Sequence, residues 1–103
     1  MLIVAGSFEV APVDRDAFIA SRHEAMRISR TERGCIEYTF AADPRVPGRV
    51  VLYERWEQQQ DLDDHLSAYR ARAAAATPST DSPVTVLSSE IVLYDISGSR
   101  PLG

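Results

Sequence analysis

The sequence predicts an α+β domain, a ferredoxin-like β-α-β-β-α-β sandwich with helices on one face of an antiparallel sheet. Three observations predict it. Four segments rich in β-branched and aromatic residues, around 2–10, 35–42, 49–57 and 84–96, read as strands. Two segments with helical periodicity, 15–32 and 58–76, separate the first strand from the second and the third from the fourth. A chain of 103 residues, 45% of them apolar, has the length of one compact domain. That domain is expected to span 1–96, with 97–103 as a flexible tail.

The first strand runs from Leu2 to Val10. Its even positions carry Leu2, Val4, Gly6, Phe8 and Val10, and its odd positions Ile3, Ala5, Ser7 and Glu9. Both faces begin apolar, which argues for cover on both sides. Gly6 leaves room either for a bend or bulge, or for a ligand to approach the sheet. Pro12 ends the strand because it cannot donate to a ladder.

Asp14 stands at the N-cap position of the first helix. Phe18, Ile19, Ala25 and Met26 recur with helical spacing as its apolar stripe. Arg15, Arg22, Glu24, Arg27 and Arg30 read as its wet side, and His23 lies at the stripe's edge as a boundary residue or a catalytic one. Gly34 closes the helix.

The stretch from Gly34 to Tyr69 organises the rest of the chain. Its first part, Cys35 to Ala42, alternates, with Ile36, Tyr38 and Phe40 on one face and Cys35, Glu37 and Thr39 on the other. Asp43 to Gly48, with two prolines and a glycine, is a hairpin loop. Arg49 to Glu57 then carries Val50, Leu52, Glu54 and Trp56 on one face and Val51, Tyr53 and Arg55 on the other. In the second helix Leu62, Leu66 and Tyr69 define the inner stripe, with His65 beside Leu66. Asp61, Asp63 and Asp64 in the early turns suit the positive end of the helix dipole. Pro78 stops the helix, 79–83 form a polar connector, and Val84 to Ile96 is a fourth strand long enough to contain a bulge.

Composition narrows the function. The formal charge is −4 and there is no basic run, so no nucleic-acid partner is expected. No run approaches the ~20 apolar residues that span a bilayer. The N-terminal apolar stretch is too short for a secretory signal and has no basic segment before it, so the expected location is cytoplasmic. One cysteine, Cys35, allows no internal disulfide and no cysteine-based metal cluster. His23 and His65, the two histidines, lie on different helices, which is a poor start for a metal site. No nicotinamide or flavin fingerprint follows the first strand, so an enzyme here would work without a tightly held cofactor.

One constellation could carry chemistry. Glu54 and Trp56 point between sheet and helices, toward His65 and Tyr69. Polar groups beside Trp and Tyr suit an aromatic-binding pocket, with Leu52, Phe8, Leu62 and Leu66 as its apolar lining. Histidine is the side-chain type that titrates near neutrality, so His65 is the candidate general base. From spacing alone it reads rather as a core-edge histidine bonded to a neighbouring carboxylate such as Asp61 or Glu54. Trp56 is either core or a substrate platform. Glu54, costly to bury alone, pairs with His65 or an arginine, or else meets solvent. Cys35 reads as a buried inert thiol rather than a nucleophile, with no histidine near it in sequence.

The stretches G-C-I-E-Y, D-P-R-V-P-G-R, V-L-Y-E-R-W-E and D-L-D-D-H-L, in that order, resemble the antibiotic biosynthesis monooxygenase domain. The opening I-V-A-G-S-F-E-V and P-V-D-R-D-A-F-I-A fit its first strand and helix, so the resemblance covers about 2–96. It implies a dimeric α+β barrel. Characterised members of the family include cofactor-free oxygenases of anthrones and quinols and an isomerase of a phosphorylated sugar. By resemblance, His65 would be the base, Trp56 an aromatic wall and Tyr69 a hydrogen-bond donor. The expectation is then a monooxygenase that oxidises a hydroxylated aromatic with O2 and no cofactor. The alternatives are a dimeric small-molecule binding protein without turnover, or a proton-transfer isomerase. For an isomerase with a phosphorylated substrate, Arg55 or Arg70 would supply the basic residues.

Two departures from the family stand out. Many members follow the H-L of the second helix with S-P-H-F, whereas this chain reads S-A-Y-R-A and has no second histidine there. A haem-degrading branch uses an Asn, a Trp and a His where this chain has Ser7, His65 and Ala75, so haem degradation is not expected. Because Ile3, Ala5, Val51 and Tyr53 share the sheet face away from the helices, that face is too apolar for water. A homodimer packing sheet on sheet is expected.

Overall fold

The computed structural model describes residues 1–75 and 84–103. In chain order it has β1 (Leu2–Val10), a single 3-10 turn (Pro12–Asp14), α1 (Arg15–Ser21), α2 (His23–Ser29), β2 (Cys35–Ala42), β3 (Arg49–Trp56), α3 (Gln59–Ala75) and β4 (Val86–Asp95). The strands form one antiparallel sheet in the order β2-β3-β1-β4. This is the α+β ferredoxin-like arrangement that the element order predicts. The helix stop at Pro78 and the connector 79–83 lie outside the described residues.

Hydrophobic alternation decides which face of the sheet is covered. On β3, Val50, Leu52, Glu54 and Trp56 are buried, while Val51 on the opposite face is exposed. The core joins these to Leu2 and Val10 of β1, Tyr38 and Phe40 of β2, Phe18 of α1, Met26 of α2 and Leu62 of α3. Phe8, Phe18 and Phe40 form an aromatic cluster with centroids 5.5 to 6.3 Å apart. The expected alternation on β2 holds for Tyr38 and Phe40 but not for Ile36, which is exposed. The ladder shifts register between Cys35 and Glu37, so Ile36 falls in a bulge and leaves the core face.

The first helix is not continuous over 15–32. It breaks at Arg22, where φ is −98° and ψ −4°. The Arg22 amide bonds back to the Ile19 carbonyl at 2.9 Å, and the second segment starts afresh with the Met26 amide on the Arg22 carbonyl at 2.9 Å. His23 is exposed at this junction. Asp14 sits at the N-cap of α1, but its side chain makes no capping bond. Two of the arginines assigned to the wet side tie the layers together. Arg15 donates to the Asp43 and Val46 carbonyls of the hairpin loop, and Arg30 donates to the Tyr38 carbonyl.

The buried stripe of α3 is also rotated from the one expected. Asp61, Leu62 and His65 face inward, whereas Leu66 and Tyr69 lie on the flank, each 37% exposed. Asp61 is buried because it caps its own helix, accepting from the Gln58 amide at 3.2 Å. It packs on Gly34, whose φ of +78° is open to glycine at little cost.

Gly6 is explained by the sheet itself. A Cβ there would lie 1.8 Å from the backbone carbonyl oxygen of Glu90 on β4, so strand β4 and not a ligand takes the space. The register of β1 with β4 shifts between Glu9 and Val10, which places a bulge near the start of β4. The helices leave β4 bare. Leu87, Ile91 and Leu93 on its helix-side face are exposed, as are Val92 and Tyr94 on the other.

Candidate functional site

The site follows from where β3 and α3 place their side chains. Inward alternation on β3 presents Leu52 and Glu54, the α3 stripe presents His65, and the α3 flank adds Leu66 and Tyr69. Together with Phe8, Arg22, Ala25, Tyr38 and Phe40 they enclose a cavity of about 200 Å³ between sheet and helices. Of the residues expected at the site, His65, Tyr69, Glu54, Leu52, Phe8 and Leu66 face this cavity. Trp56 and Leu62 do not, since both are buried in the core behind it.

Trp56 acts from behind the cavity. Its ring is fully buried and stacks at a tilt on His65, with centroids 4.8 Å apart. Its indole N–H donates to Glu54 Oε1 at 3.0 Å. Burial therefore holds the Glu54 carboxyl above its ordinary range, and the nearby Glu32 charge adds to this, while the Trp56 bond and His65 oppose it. The Tyr38 hydroxyl is likewise held well above its ordinary range, by burial first and by Glu54 second.

His65 is 3% exposed and is bonded to neither Asp61 nor Glu54. Its Nδ1 lies 2.6 Å from Glu32 Oε1, which reaches in from the loop between α2 and β2. A carboxylate only accepts, so Nδ1 carries the shared proton, and in the neutral ring it is Nε2 that has the lone pair. This is the arrangement of a base oriented by a half-buried acid. Glu32 carries no signal in the sequence, because it sits in a loop 33 residues from its partner.

Arg22 was also missed, as were Ala25, Tyr38 and Phe40, and for Arg22 the signal existed. It lies four residues after Phe18 and four before Met26, on the apolar stripe rather than the wet side. Its guanidinium carbon lies 5.1 Å from the Phe18 ring centroid, and Nη1 donates to the Tyr69 hydroxyl at 3.3 Å.

Cys35 is not activated. Burial pushes its thiol up, Glu32 and Glu54 push the same way, and the thiol points at the Glu37 carbonyl. Ser7 and His65 are on opposite sides of the sheet, for Ser7 pairs with the outward Val51, and Ala75 is exposed at the end of α3. Those three positions do not converge. Among the described residues no three His, Cys, Asp or Glu side chains form a metal-binding group, and no helix is long and apolar enough to cross a membrane.

Comparison with known proteins gives three findings. The family model described as Antibiotic biosynthesis monooxygenase matches residues 1–77. An uncharacterized protein of Synechocystis is 34% identical over 64 residues, which are 62% of this chain. The match covers 44% of that relative, so the chain spans less than half of its length. Among solved structures, a Deinococcus radiodurans protein grouped with the antibiotic biosynthesis monooxygenases superposes with a TM-score of 0.71 at 18% identity, over 100% of this chain and 99% of its own. The haem-degrader MhuD of Mycobacterium tuberculosis, solved with two haems in its active site, superposes with a TM-score of 0.73 at 10% identity, over 98% and 100%. At these identities the structural likeness is one of fold.

Proposed function

The chain belongs to the antibiotic biosynthesis monooxygenase family, and from that premise we propose that it oxidises a small hydroxylated aromatic with O2, without a cofactor. The observation that carries the proposal is that His65, paired with Glu32, lines a cavity whose other walls are mostly aromatic and apolar. A cavity of about 200 Å³ is below the ~300–1,000 Å³ of sites for drug-sized ligands. That favours a one-ring quinol over a three-ring anthrone.

His65 Nε2 would take the phenolic proton, and Glu32 would stabilise the imidazolium. The electron-rich anion passes one electron to O2, giving superoxide and a substrate radical. The two combine at carbon, forming a C–O bond. The peroxide takes back the proton and loses water, leaving a carbonyl. One oxygen atom of O2 ends in the product and the other in water. Phe8 and Phe40 would hold the ring. Glu54 in its acid form has Oε1 occupied by Trp56, so Oε2 is the oxygen left to donate to the substrate.

The test is oxygen consumption by metal-free protein with one-ring quinols, beside a protein-free control for autoxidation. Uptake above the control, lost in His65→Ala, supports the reading. Tight quinol or quinone binding without uptake selects the non-catalytic binding protein, and product formed without O2 selects the isomerase.

The outer sheet face suggests the assembly. Val51, Val92 and Tyr94 are exposed there, beside the half-buried Ile3, Ala5 and Tyr53. A second copy packed on this face would remove that surface from water.

A further inference from the structure

We propose that the substrate is an anionic aromatic, and that Arg22 with Tyr69 forms the subsite for its acidic group. This deepens the oxygenase reading and rests on it for the aromatic ring.

Four observations lead here. Arg22 faces a cavity whose lining is otherwise mostly apolar. Its positive charge has no carboxylate within salt-bridge distance among the described residues, since the ion pairs there are Arg27–Glu24, Arg49–Glu9, Arg49–Asp43 and His65–Glu32. Among the described residues its buried Nε has no hydrogen-bond partner. Its one side-chain bond among them is a long one, 3.3 Å, to a neutral oxygen.

A half-buried guanidinium is held in place here without being neutralised. The Phe18 ring fixes one side of it, and the backbone break between α1 and α2 sets its origin. Tyr69 OH accepts from Arg22, so its own hydrogen is the one left to donate. The two groups therefore present a positive charge and an O–H at the same end of the cavity. A carboxylate matches that pair in charge and in acceptor count.

His65 and Tyr69 line the same cavity, their ring centroids 6.4 Å apart. A substrate whose acidic group meets Arg22 and Tyr69 would extend its hydroxyl toward His65. Glu32 lies at the His65 end and disfavours a second anionic group there. The charge distribution therefore orients an acidic phenol in one direction.

The test is calorimetric binding of 2,5-dihydroxybenzoate, its methyl ester and hydroquinone at pH 7. The acid is expected to bind at least tenfold tighter than the ester or hydroquinone in the unaltered protein. In Arg22→Gln that preference should vanish, the acid falling to the level of the ester, and Arg22→Lys should keep part of it. Equal binding of acid and ester by the unaltered protein would overturn the anionic subsite and leave the aromatic reading standing. Arg22→Gln lowering acid and ester by the same factor would do so too. Binding of none of the three would overturn both. The comparison within the unaltered protein needs no variant to fold.

Discussion

Glu32 Oε1 and His65 Nδ1 lie 2.6 Å apart, joining the loop after α2 to the buried face of α3. The contact fixes the ring that the proposed reaction needs as a base. Glu32→Gln keeps the shape but removes the charge that stabilises the imidazolium. Oxygen uptake should fall about 10²-fold in kcat, with KM little changed. His65→Ala should lose at least as much. Steady-state kinetics of both variants across pH is the measurement. A Glu32→Gln enzyme with unaltered kcat at every pH would end the charge-stabilising role.

Glu54 makes a prediction about stability. Burial raises its folded-state pKa above that of the unfolded chain. Between the two values the folded state binds more protons than the unfolded one, so stability falls as pH rises through that window. Above the folded pKa the full cost of the buried charge remains. Glu54→Gln keeps an oxygen for the Trp56 N–H and cannot ionise. It should be more stable than the parent at pH 8, with the gain gone below the ordinary carboxylate range. Each kcal/mol recovered would raise Tm by about 4–8 °C in a domain of this size. Thermal melts of the two proteins from pH 4 to pH 8 would read it. A gap that does not change with pH would contradict the burial argument.

Gly34→Ala combines two penalties. The φ of +78° costs a β-carbon about 1–2 kcal/mol, and an added Cβ would lie 2.0 Å from Asp61 Oδ2. Urea unfolding should show a loss of more than about 2 kcal/mol. Part of it should return when Asp61 is shortened to Ala, because the contact is with a side chain. The backbone part should remain.

At Gly6 the obstacle is backbone, which cannot rotate away. Gly6→Ala should push β4 from β1 and cost about 1–3 kcal/mol. Hydrogen exchange should quicken at the β4 amides near Ile91 before it does in β2 and β3. Unaltered protection along β4 would mean that the close approach to Glu90 is not a constraint in solution.

Assembly is tested by mass in solution. The chain is 11.4 kDa, and light scattering at micromolar concentration should give twice that. Val92→Lys places a charge on the apolar outer face, on the edge strand β4 beside Ala5. It should return the protein to monomer with its secondary structure intact. A monomeric parent would remove the proposal that a second copy covers the sheet.

The sequence by itself determined the order of elements, the bounds of β1 and β2, and the inward face of β3. Those depend on local quantities. Period-two alternation shows which residues of Arg49–Trp56 turn inward, and Pro12 and the Asp43–Gly48 loop mark where strands stop, whereas the first helical region ends at Ser29, short of the Gly34 expected to close it. It also brought His65, Tyr69 and Glu54 to one side of the sheet, since each lies on a regular element of known period.

Only the tertiary structure decided which partners those residues meet. Glu32 belongs to a loop, and loops have no period from which a direction could be read. Arg22 was read by its charge as solvent-facing, although its spacing from Phe18 and Met26 put it on the buried stripe. The break at that residue and the aromatic ring beneath it let a cation stay there. Trp56 was expected at the cavity wall because it shares the face of Leu52 and Glu54. Alternation specifies a face but not a depth, and at the end of β3 that face is already closed by α3.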